Sequence, residues 1–310
     1  MLNNLTIIIV TYNAMPWLDK CLGSIDFKKY AVLVVDNNSS DETISCITSN
    51  YEKVKLFEES SNLGFGQANN KGISYALQNG AEHVFLLNQD AYLVDDCLEK
   101  LVSFQKKNKN YGIVSPIHTN AQQNRLDQRF SNYVRYDKNP NFYSDHVLGN
   151  TIQEVYDVPF VNAAGWLISK ACLLSVGGFD PIFYHYGEDD NYCQRVLYHD
   201  FKIGILSKPR LIHDREDRLT PEVELYSNAF FELEERRLKT KYANVETFHK
   251  TSLTAIRNKK RKQLLKAYIK QNRIQISANQ KYLNLIDILI KQVAISVSLN
   301  QKKQPNYLDL

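Results

Sequence analysis

The first 120 residues alternate between two patterns of apolar side chains. Five short runs are apolar almost throughout and rich in Val, Ile and Leu: Leu5–Val10, Ala31–Val35, Val54–Phe57, Val84–Leu87 and Gly112–Ser115. Runs that are apolar on both faces are typical of parallel strands covered by helices on both sides. Segments with helical spacing lie between them, over Pro16–Ile25, Ser40–Ser49, Gly66–Gln78 and Asp95–Lys106. The alternation predicts right-handed βαβ units and an α/β, Rossmann-like fold with a mostly parallel sheet.

The rest of the chain departs from this rhythm. Residues 118–155 are polar and weakly periodic, and we expect an irregular insertion there. The apolar segment 158–176 indicates buried core; a helix is expected near Glu188 and a strand over Lys202–Leu206. From Thr220 the pattern turns helical, with Thr220 as a cap and Pro221 at the first helical position. The sequence thus predicts an α/β domain over residues 1–219 and a helical, basic appendage over 220–310.

Composition narrows the class of protein. The chain of 310 residues is 44% hydrophobic and 23% charged, as in folded soluble proteins. No run approaches the roughly 20 apolar residues expected of a membrane-crossing helix, and the N-terminus lacks the features of a signal peptide. The five cysteines are never spaced as C-x-x-C, which predicts reduced thiols, a cytoplasmic location, and neither disulfides nor zinc sites.

Charge is distributed unevenly along the chain. Residues 1–249 hold 25 basic and 32 acidic side chains, whereas residues 250–310 hold 13 basic and only two acidic ones. Within this tail, Arg257–Arg273 combines cations with apolar residues at helical spacing, namely Leu264, Leu265, Tyr268 and Ile269. Three interpretations stay open: contact with an anionic membrane surface, packing within the protein or against another subunit, and binding to nucleic-acid phosphates. A second apolar stripe, Leu283–Val297, suggests a homodimer contact.

Polar side chains follow three of the predicted strands. The segments are Thr11-Tyr12-Asn13, Asp36-Asn37-Asn38-Ser39-Ser40-Asp41 and Asn88-Gln89-Asp90. Each has an ordinary explanation as a turn or cap; Ser39 or Ser40, and Asp41, are candidate caps of the second helix. However, the carboxyl ends of parallel strands meet at one edge of a sheet, where ligands bind in open α/β folds. Their coincidence therefore predicts a ligand site.

Four blocks resemble family 2 glycosyltransferases, in that family's order and spacing. They are VDNNSSDET, NLGFGQANNKG, LLNQD and GGFDPIFYHYGEDDNYCQRV, and the resemblance spans residues 5 to about 215. It is strongest toward bacterial rhamnosyltransferase-like members. The resemblance implies an inverting enzyme with a GT-A catalytic domain over residues 1–219. It also implies transfer from a dTDP- or UDP-sugar, with dTDP-rhamnose the first expectation, to a hydroxyl of a lipid-linked or growing surface glycan.

The resemblance also assigns residues to the donor. Asp36 is expected to accept the N3–H of a uracil or thymine ring, with Thr11 and Tyr12 flanking that base, and Asn70 is expected to face the donor. The other expected donor-binding residues are Asn13, Asn38, Asn88, Gln89 and Asp90.

A divalent cation is the expected cofactor. Asp90 ends a D-x-D-like element in which Asn88 replaces the first acid, so the site has one carboxylate fewer than the fuller pattern. Mg²⁺ and Mn²⁺ favour such oxygen ligands. His213 matches a family histidine that reaches the metal, although a core or surface histidine is the alternative.

Three adjacent acids, Glu188-Asp189-Asp190, begin the helix expected after the Gly-Gly turn. The helix dipole explains one or two acids at such a place. Inverting transfer needs one carboxylate as general base, and the resemblance assigns that role to Asp189. Glu188 is expected to support the base or bind the acceptor, and Trp166 is the other expected acceptor contact.

Two further functional classes stay open. A non-catalytic assembly protein that binds nucleotide sugar or glycan is supported only by Asn88. A nucleotidyltransferase is disfavoured because the sequence shows no glycine- and lysine-rich triphosphate loop. Gly64-Phe65-Gly66 does not make a dinucleotide motif, because it follows the third strand and Asn69 replaces the third glycine. Nucleic acid is not an expected partner.

Overall fold

A single sheet organises the molecule, for which the computed structural model describes residues 4–215, 222–248 and 252–310. Its strands are β1 (Leu5–Thr11), β2 (Ala31–Asp36), β3 (Val54–Glu58), β4 (His83–Asn88), β5 (Ala91–Leu93), β6 (Tyr111–Thr119), β7 (Val155–Asp157), β8 (Gly165–Ser169) and β9 (Lys202–His213). They lie in the order β3-β2-β1-β4-β8-β6-β9-β5, and β7 pairs with β9. Strands β5, β7 and β8 run antiparallel to the other six, so the predicted mostly parallel sheet is confirmed.

The described helices are α1 (Leu18–Gly23), α2 (Thr43–Asn50), α3 (Phe65–Gln78), α4 (Cys97–Lys107), α5 (Gln128–Tyr133), α6 (Pro140–Leu148), α7 (Lys170–Val176), α8 (Glu188–Tyr198), α9 (Asn228–Tyr242), α10 (Leu253–Ile269) and α11 (Arg273–Asn300). Alternate residues of β1 enter two different cores. Ile7 and Ile9 pack with α1 and α4, whereas Ile8 packs with α3, α7 and α8. Because successive side chains of a strand point to opposite faces, helices cover both faces of the sheet, as the sequence predicts.

The early elements match their predictions with small shifts in bounds. One detail is wrong: neither Ser39 nor Ser40 caps the second helix, which begins at Thr43. Instead, the Asp41 carboxylate accepts hydrogen bonds from the Thr43 backbone N–H, at 3.1 Å, and from the Thr43 hydroxyl, at 2.6 Å. The helix begins later because these bonds close the preceding turn.

One later prediction is corrected by the structure, and another falls outside the described residues. The segment 118–155, expected to be irregular, contains the end of β6 and the short helices α5 and α6. Their caps are side chains: Asp127 accepts from the Phe130 N–H and Asn139 from the N–H groups of Asn141 and Phe142. The proposed start of the appendage at Thr220 and Pro221 lies outside the described residues. The next described helix, α9, begins at Asn228, where the Ser227 hydroxyl accepts from the Phe230 N–H.

The C-terminal helices pack on the rest of the molecule. Ile286, Leu289 and Val293 of α11 share a core with Leu238 of α9 and with Phe183. By length and composition alone, α11 is apolar enough to cross a membrane. About 33% of its most apolar stretch is buried inside the protein. The expectation that no segment is long and apolar enough to cross a membrane is therefore wrong.

A buried polar network joins α11 to α8. Asn300 donates to Asp180 through Nδ2 at 2.7 Å, and its Oδ1 accepts from Arg195 Nη1 at 3.2 Å. Arg195, on α8, also donates to the carbonyls of Val176 and Gly178, at 2.9 and 2.6 Å. The end of the chain thereby supports the helix whose first turn carries the three acids.

Candidate active site

A cavity of about 1210 Å³ opens at the carboxyl edge of β1 and β4. Its walls also include α5, the loop 184–187, the start of α8 and one face of α9. Seven of the predicted site residues line it: Tyr12, Asn88, Gln89, Asp90, Glu188, Asp189 and His213. The structure thus brings the metal candidates and the acids into one cavity.

Pairing of β5 with β9 places Asp90 beside His213. Ala91 lies opposite His213 in the ladder, and the Asp214 N–H donates to the Asp90 carbonyl at 2.8 Å. His213 Nε2 consequently lies 3.5 Å from Asp90 Oδ1, with both side chains buried. The two predicted metal ligands therefore meet although they lie far apart in the sequence.

Asn88, which also lines the cavity, is a further candidate ligand. Its Oδ1 is buried and accepts no hydrogen bond. Buried polar atoms are normally paired, so an unpaired amide oxygen in a cavity suits a cation or another donor. Within the described ranges, no group of three His, Cys, Asp or Glu side chains could hold a metal. The residues fit a divalent cation only if substrate oxygens complete its coordination.

Asp36 anchors the loop that follows β2. Its Oδ2 accepts from Thr11 Oγ1 at 2.7 Å and from Ser39 Oγ at 2.6 Å, and its Oδ1 accepts from the Ser39 backbone N–H at 2.8 Å. Asn38, between them, adopts a left-handed φ of 66°. These bonds fix the loop that borders the cavity at Asn37.

Six predicted contact residues do not line the cavity: Thr11, Asn13, Asp36, Asn38, Asn70 and Trp166. Two of them are internal supports. The Asn70 amide donates to the Phe179 carbonyl at 2.8 Å and accepts from the Phe179 N–H at 2.7 Å. Trp166 is fully buried and stacks on Phe179, with ring centroids 6.1 Å apart. The structure places both side chains in the interior, away from the cavity lining, and their expected contacts with donor and acceptor stay predictions.

The Gln89 side chain is hydrogen-bonded to the backbone of Tyr12. Its Oε1 accepts from the Tyr12 N–H at 2.8 Å, and its Nε2 donates to the Tyr12 carbonyl at 3.2 Å. The bond pair ties the end of β4 to the end of β1. The Tyr12 side chain, 48% exposed, is left free to contact a ligand.

The three acids occupy the first turn of α8, as predicted. Burial, followed by the neighbouring Asp189 charge, raises the pKa of Glu188 to about 8. The same two causes raise the pKa of Asp190 to about 7. Burial also raises the pKa of Asp189, against hydrogen bonds from backbone N–H groups and the charge of Arg215. Carboxyl groups shifted toward neutral pH in a cavity are candidates for proton transfer.

Gly187, immediately before these acids, has a φ of 91°. A Cβ there would approach Thr240 Oγ1 of α9 to 2.8 Å. The residue is thus glycine for two reasons, its left-handed backbone and the close approach of α9. This approach fixes the start of α8 against the far wall of the cavity.

Sequence reasoning missed several lining residues. Arg215 donates from Nε to Asp127 Oδ2 at 2.9 Å, which ties the end of β9 to α5. Burial alone would lower the pKa of Arg215, but the hydrogen bond and charge of Asp127 raise it, so the guanidinium stays charged. Arg215, two residues after His213, could have been identified by proximity. The lining residues of α9 gave no local signal, because only tertiary packing brings that helix to the cavity.

Comparison with known proteins agrees with this geometry. The sequence model of glycosyl transferase family 2 matches residues 6–165. The dTDP-rhamnosyl transferase RfbF of Shigella flexneri is 25% identical over 228 residues, which cover 70% of this chain and 71% of that protein. The N-acetylglucosaminyl-diphospho-decaprenol L-rhamnosyltransferase of Mycobacterium tuberculosis is 24% identical over 222 residues, covering 63% and 71%.

Solved structures extend the likeness to nearly the whole chain. The mannosyltransferase PcManGT from Pyrobaculum calidifontis, in complex with GDP-Man and Mn²⁺, aligns with a TM-score of 0.52 over 96% of this chain and 74% of that one. Sequence identity is 16%, so this likeness shows the fold alone. It confirms the expected GT-A fold.

Proposed function

This chain belongs to glycosyl transferase family 2 and is a glycosyltransferase, and from that premise we propose the donor, the acceptor and the residues of its reaction. The donor is a dTDP- or UDP-sugar, with dTDP-rhamnose the first candidate. Both named relatives are rhamnosyltransferases, and one carries dTDP in its name, which supports this choice. The acceptor is a hydroxyl group of a lipid-linked or growing surface glycan.

The nucleoside end of the donor lies against Tyr12 and Asn37, at the rim where β1 and β2 end. Asp36 accepts the N3–H of the base, although its side chain is buried and outside the cavity lining. An ionised carboxylate offers about four acceptor positions, and the three bonds from Thr11 and Ser39 leave Oδ1 with one. Asn13 and Asn38 then act by shaping this loop, since Asn13 Oδ1 accepts from the Ser40 N–H at 2.9 Å.

Asp90, His213 and the Asn88 amide oxygen hold Mg²⁺ or Mn²⁺. Support comes from the 3.5 Å approach of Asp90 to His213 and from the unpaired oxygen of Asn88, a residue that lines the same cavity. When bound, such a cation neutralises charge on the leaving diphosphate. Arg215, held by Asp127, adds a fixed positive charge to the same cavity.

Asp189 is the general base. It accepts the proton of the acceptor hydroxyl while that oxygen attacks the anomeric carbon. The bond from that carbon to the diphosphate breaks, its electron pair leaves with the nucleoside diphosphate, and the anomeric centre is inverted. Glu188, which borders the same space, stays protonated near neutral pH and supplies a hydrogen-bond donor to the acceptor.

The protein acts at the cytoplasmic face of an anionic membrane. The tip of the α10–α11 hairpin exposes Leu265, Tyr268, Ile269 and Ile274. Lys262, Lys266, Lys270 and Arg273 surround these apolar side chains in sequence and are also exposed. Apolar groups ringed by cations suit the interface of an anionic bilayer. Exposed Ile288 and Ile295 on α11 leave a second face for a homodimer.

The observation that carries the proposal is one cavity holding both the Asp90–His213 pair and the three acids of α8. A thermal melt with dTDP or UDP tests it. With Mn²⁺ present, either nucleotide at one hundred times its Kd should stabilise the protein by about 2.7 kcal/mol. The shift should fall in Asp90→Asn and persist in Asp95→Asn, a change outside the cavity. Absence of any shift with both nucleotides contradicts the donor site.

A further inference from the structure

One wall of the cavity is formed by a single face of α9. Three basic residues of this face line the cavity. Arg236 and Arg237 are adjacent, and Lys241 follows Arg237 by about one helical turn. Arg237 is neutralised, because its Nε and Nη2 donate to the two carboxylate oxygens of Glu234 at 2.9 and 2.8 Å. Arg236 and Lys241 form no ion pair with any other residue in the described parts of the chain. Two uncompensated cations therefore face the cavity.

Arg236 is the more constrained of the two. Its guanidinium carbon lies 4.4 Å from the centre of the Tyr186 ring, and its Nε is buried without a hydrogen-bond partner. Tyr186 itself has a left-handed φ of 66°, an unfavourable backbone conformation for an aromatic residue. Strain of this kind persists where packing enforces it and is concentrated at ligand sites. Here the strained backbone places the Tyr186 ring against the half-buried guanidinium of Arg236.

In the parts of the chain that the structure describes, no carboxylate lies within ion-pair distance of Arg236. Glu188 is close enough for Arg236 to influence its ionisation, but burial and the Asp189 charge raise the pKa of Glu188 to about 8. A half-buried cation without an anion is costly. Such a site favours an anionic ligand.

We propose that Arg236 and Lys241 bind the diphosphate of a lipid-linked acceptor, so that the acceptor sugar lies against Tyr186 with its hydroxyl at Asp189. This inference rests on the proposed function and specifies its acceptor class. A guanidinium stacked on a ring keeps its edge nitrogens free for paired hydrogen bonds to phosphate oxygens. The proposed function gives the donor diphosphate separate partners at another part of the cavity lining: Asn88 at the end of β4, Asp90 just before β5 and His213 at the end of β9.

Binding under nucleotide saturation separates the two diphosphate sites. The probe is N-acetylglucosamine diphosphate carrying a short alkyl chain, compared with the neutral alkyl glycoside of the same sugar. Calorimetry is carried out in detergent without lipid, with dTDP, UDP and Mn²⁺ saturating the donor site. The wild-type protein should bind the diphosphate probe at least about tenfold more tightly than the neutral glycoside. Arg236→Gln should remove most of this difference, and Arg236→Lys part of it.

Arg237→Gln is the matched control, since it removes an equal charge from the neighbouring position but one already paired with Glu234. It should keep the preference for the diphosphate probe. Equal binding of the two probes by the wild-type protein overturns the inference, whether or not the variants fold. So does a preference that survives Arg236→Gln combined with Lys241→Gln. Failure of the proposed function is a different result: no turnover of any nucleotide sugar by the wild-type protein, while the probe preference remains.

Discussion

At the scale of single residues, Asp189 carries the chemistry. It lines the cavity at the start of α8, in a site where burial raises the pKa of three adjacent carboxyl groups. Asp189→Asn keeps the shape of the side chain but removes the proton acceptor. We expect the transfer rate to fall by about 10²–10⁴-fold, with nucleotide binding unchanged. Asp190→Asn, its neighbour, should lower the rate far less; equal losses in the two variants would refute the assignment of the base.

Glu188 makes stability depend on pH. Its pKa rises from 4.5 to about 8 on folding, under burial and the charges of Asp189 and Asp190, with Arg236 opposing. The folded protein therefore holds a proton that the unfolded chain releases. This contribution to stability is complete below pH 4.5 and is lost as the pH rises toward 8.

The test follows the unfolding free energy from pH 5 to pH 9 in the wild-type protein and in Glu188→Gln. The variant has no group to ionise at this position, so its stability should fall less with rising pH. Parallel curves for the two proteins would show that Glu188 ionises normally.

At the scale of elements, the sequence predicts those strands and helices whose position is determined by a local pattern of residues. The first four strands and the helices between them follow from periodicity, and α8 follows from its acids after a Gly-Gly turn. The pairing of β5 with β9, which unites Asp90 with His213, has no local signal because it joins distant segments. For the same reason Asn70, chosen by resemblance, turns out to hold the backbone of Phe179.

The contact between α8 and α11 yields a prediction at this scale. Asn300→Ala removes partners from both Asp180 and Arg195, which stay buried. We expect a loss of about 1–3 kcal/mol in the free energy of unfolding, measured in urea. Lys303→Ala, which removes an exposed ion pair with Asp200, should cost no more than about 0.5 kcal/mol. An Asn300 variant as stable as the wild type would show that the network contributes nothing.

At the scale of the whole molecule, charge separates two surfaces. The acids gather in the cavity, whereas the exposed hairpin tip of α10 and α11 is basic and apolar. Removing residues 250–310 would uncover the core shared by α9 and α11. Point substitutions at the tip therefore give the cleaner test.

Ile269, 75% exposed at that tip, should enter the interface of an anionic bilayer. Ile269→Asp removes the roughly 1.5–3 kcal/mol that burial of the isoleucine side chain contributes to binding. Binding to phosphatidylglycerol vesicles should therefore weaken about tenfold or more. Val147→Asp, on α6 and 78% exposed, is the control and should bind normally. Sedimentation with the vesicles measures both variants, and equal binding by Ile269→Asp and the wild type would exclude this surface.

The most direct test of the central claim is turnover of the donor itself. The wild-type protein is incubated with dTDP-rhamnose and a panel of other dTDP- and UDP-sugars, with Mn²⁺ and a lipid-diphosphate acceptor, and release of the nucleoside diphosphate is measured. We predict turnover of at least one of these donors, with dTDP-rhamnose first, and its loss in Asp90→Asn and Asp189→Asn. Release of no nucleoside diphosphate from any donor, or unchanged release in both variants, would contradict the account.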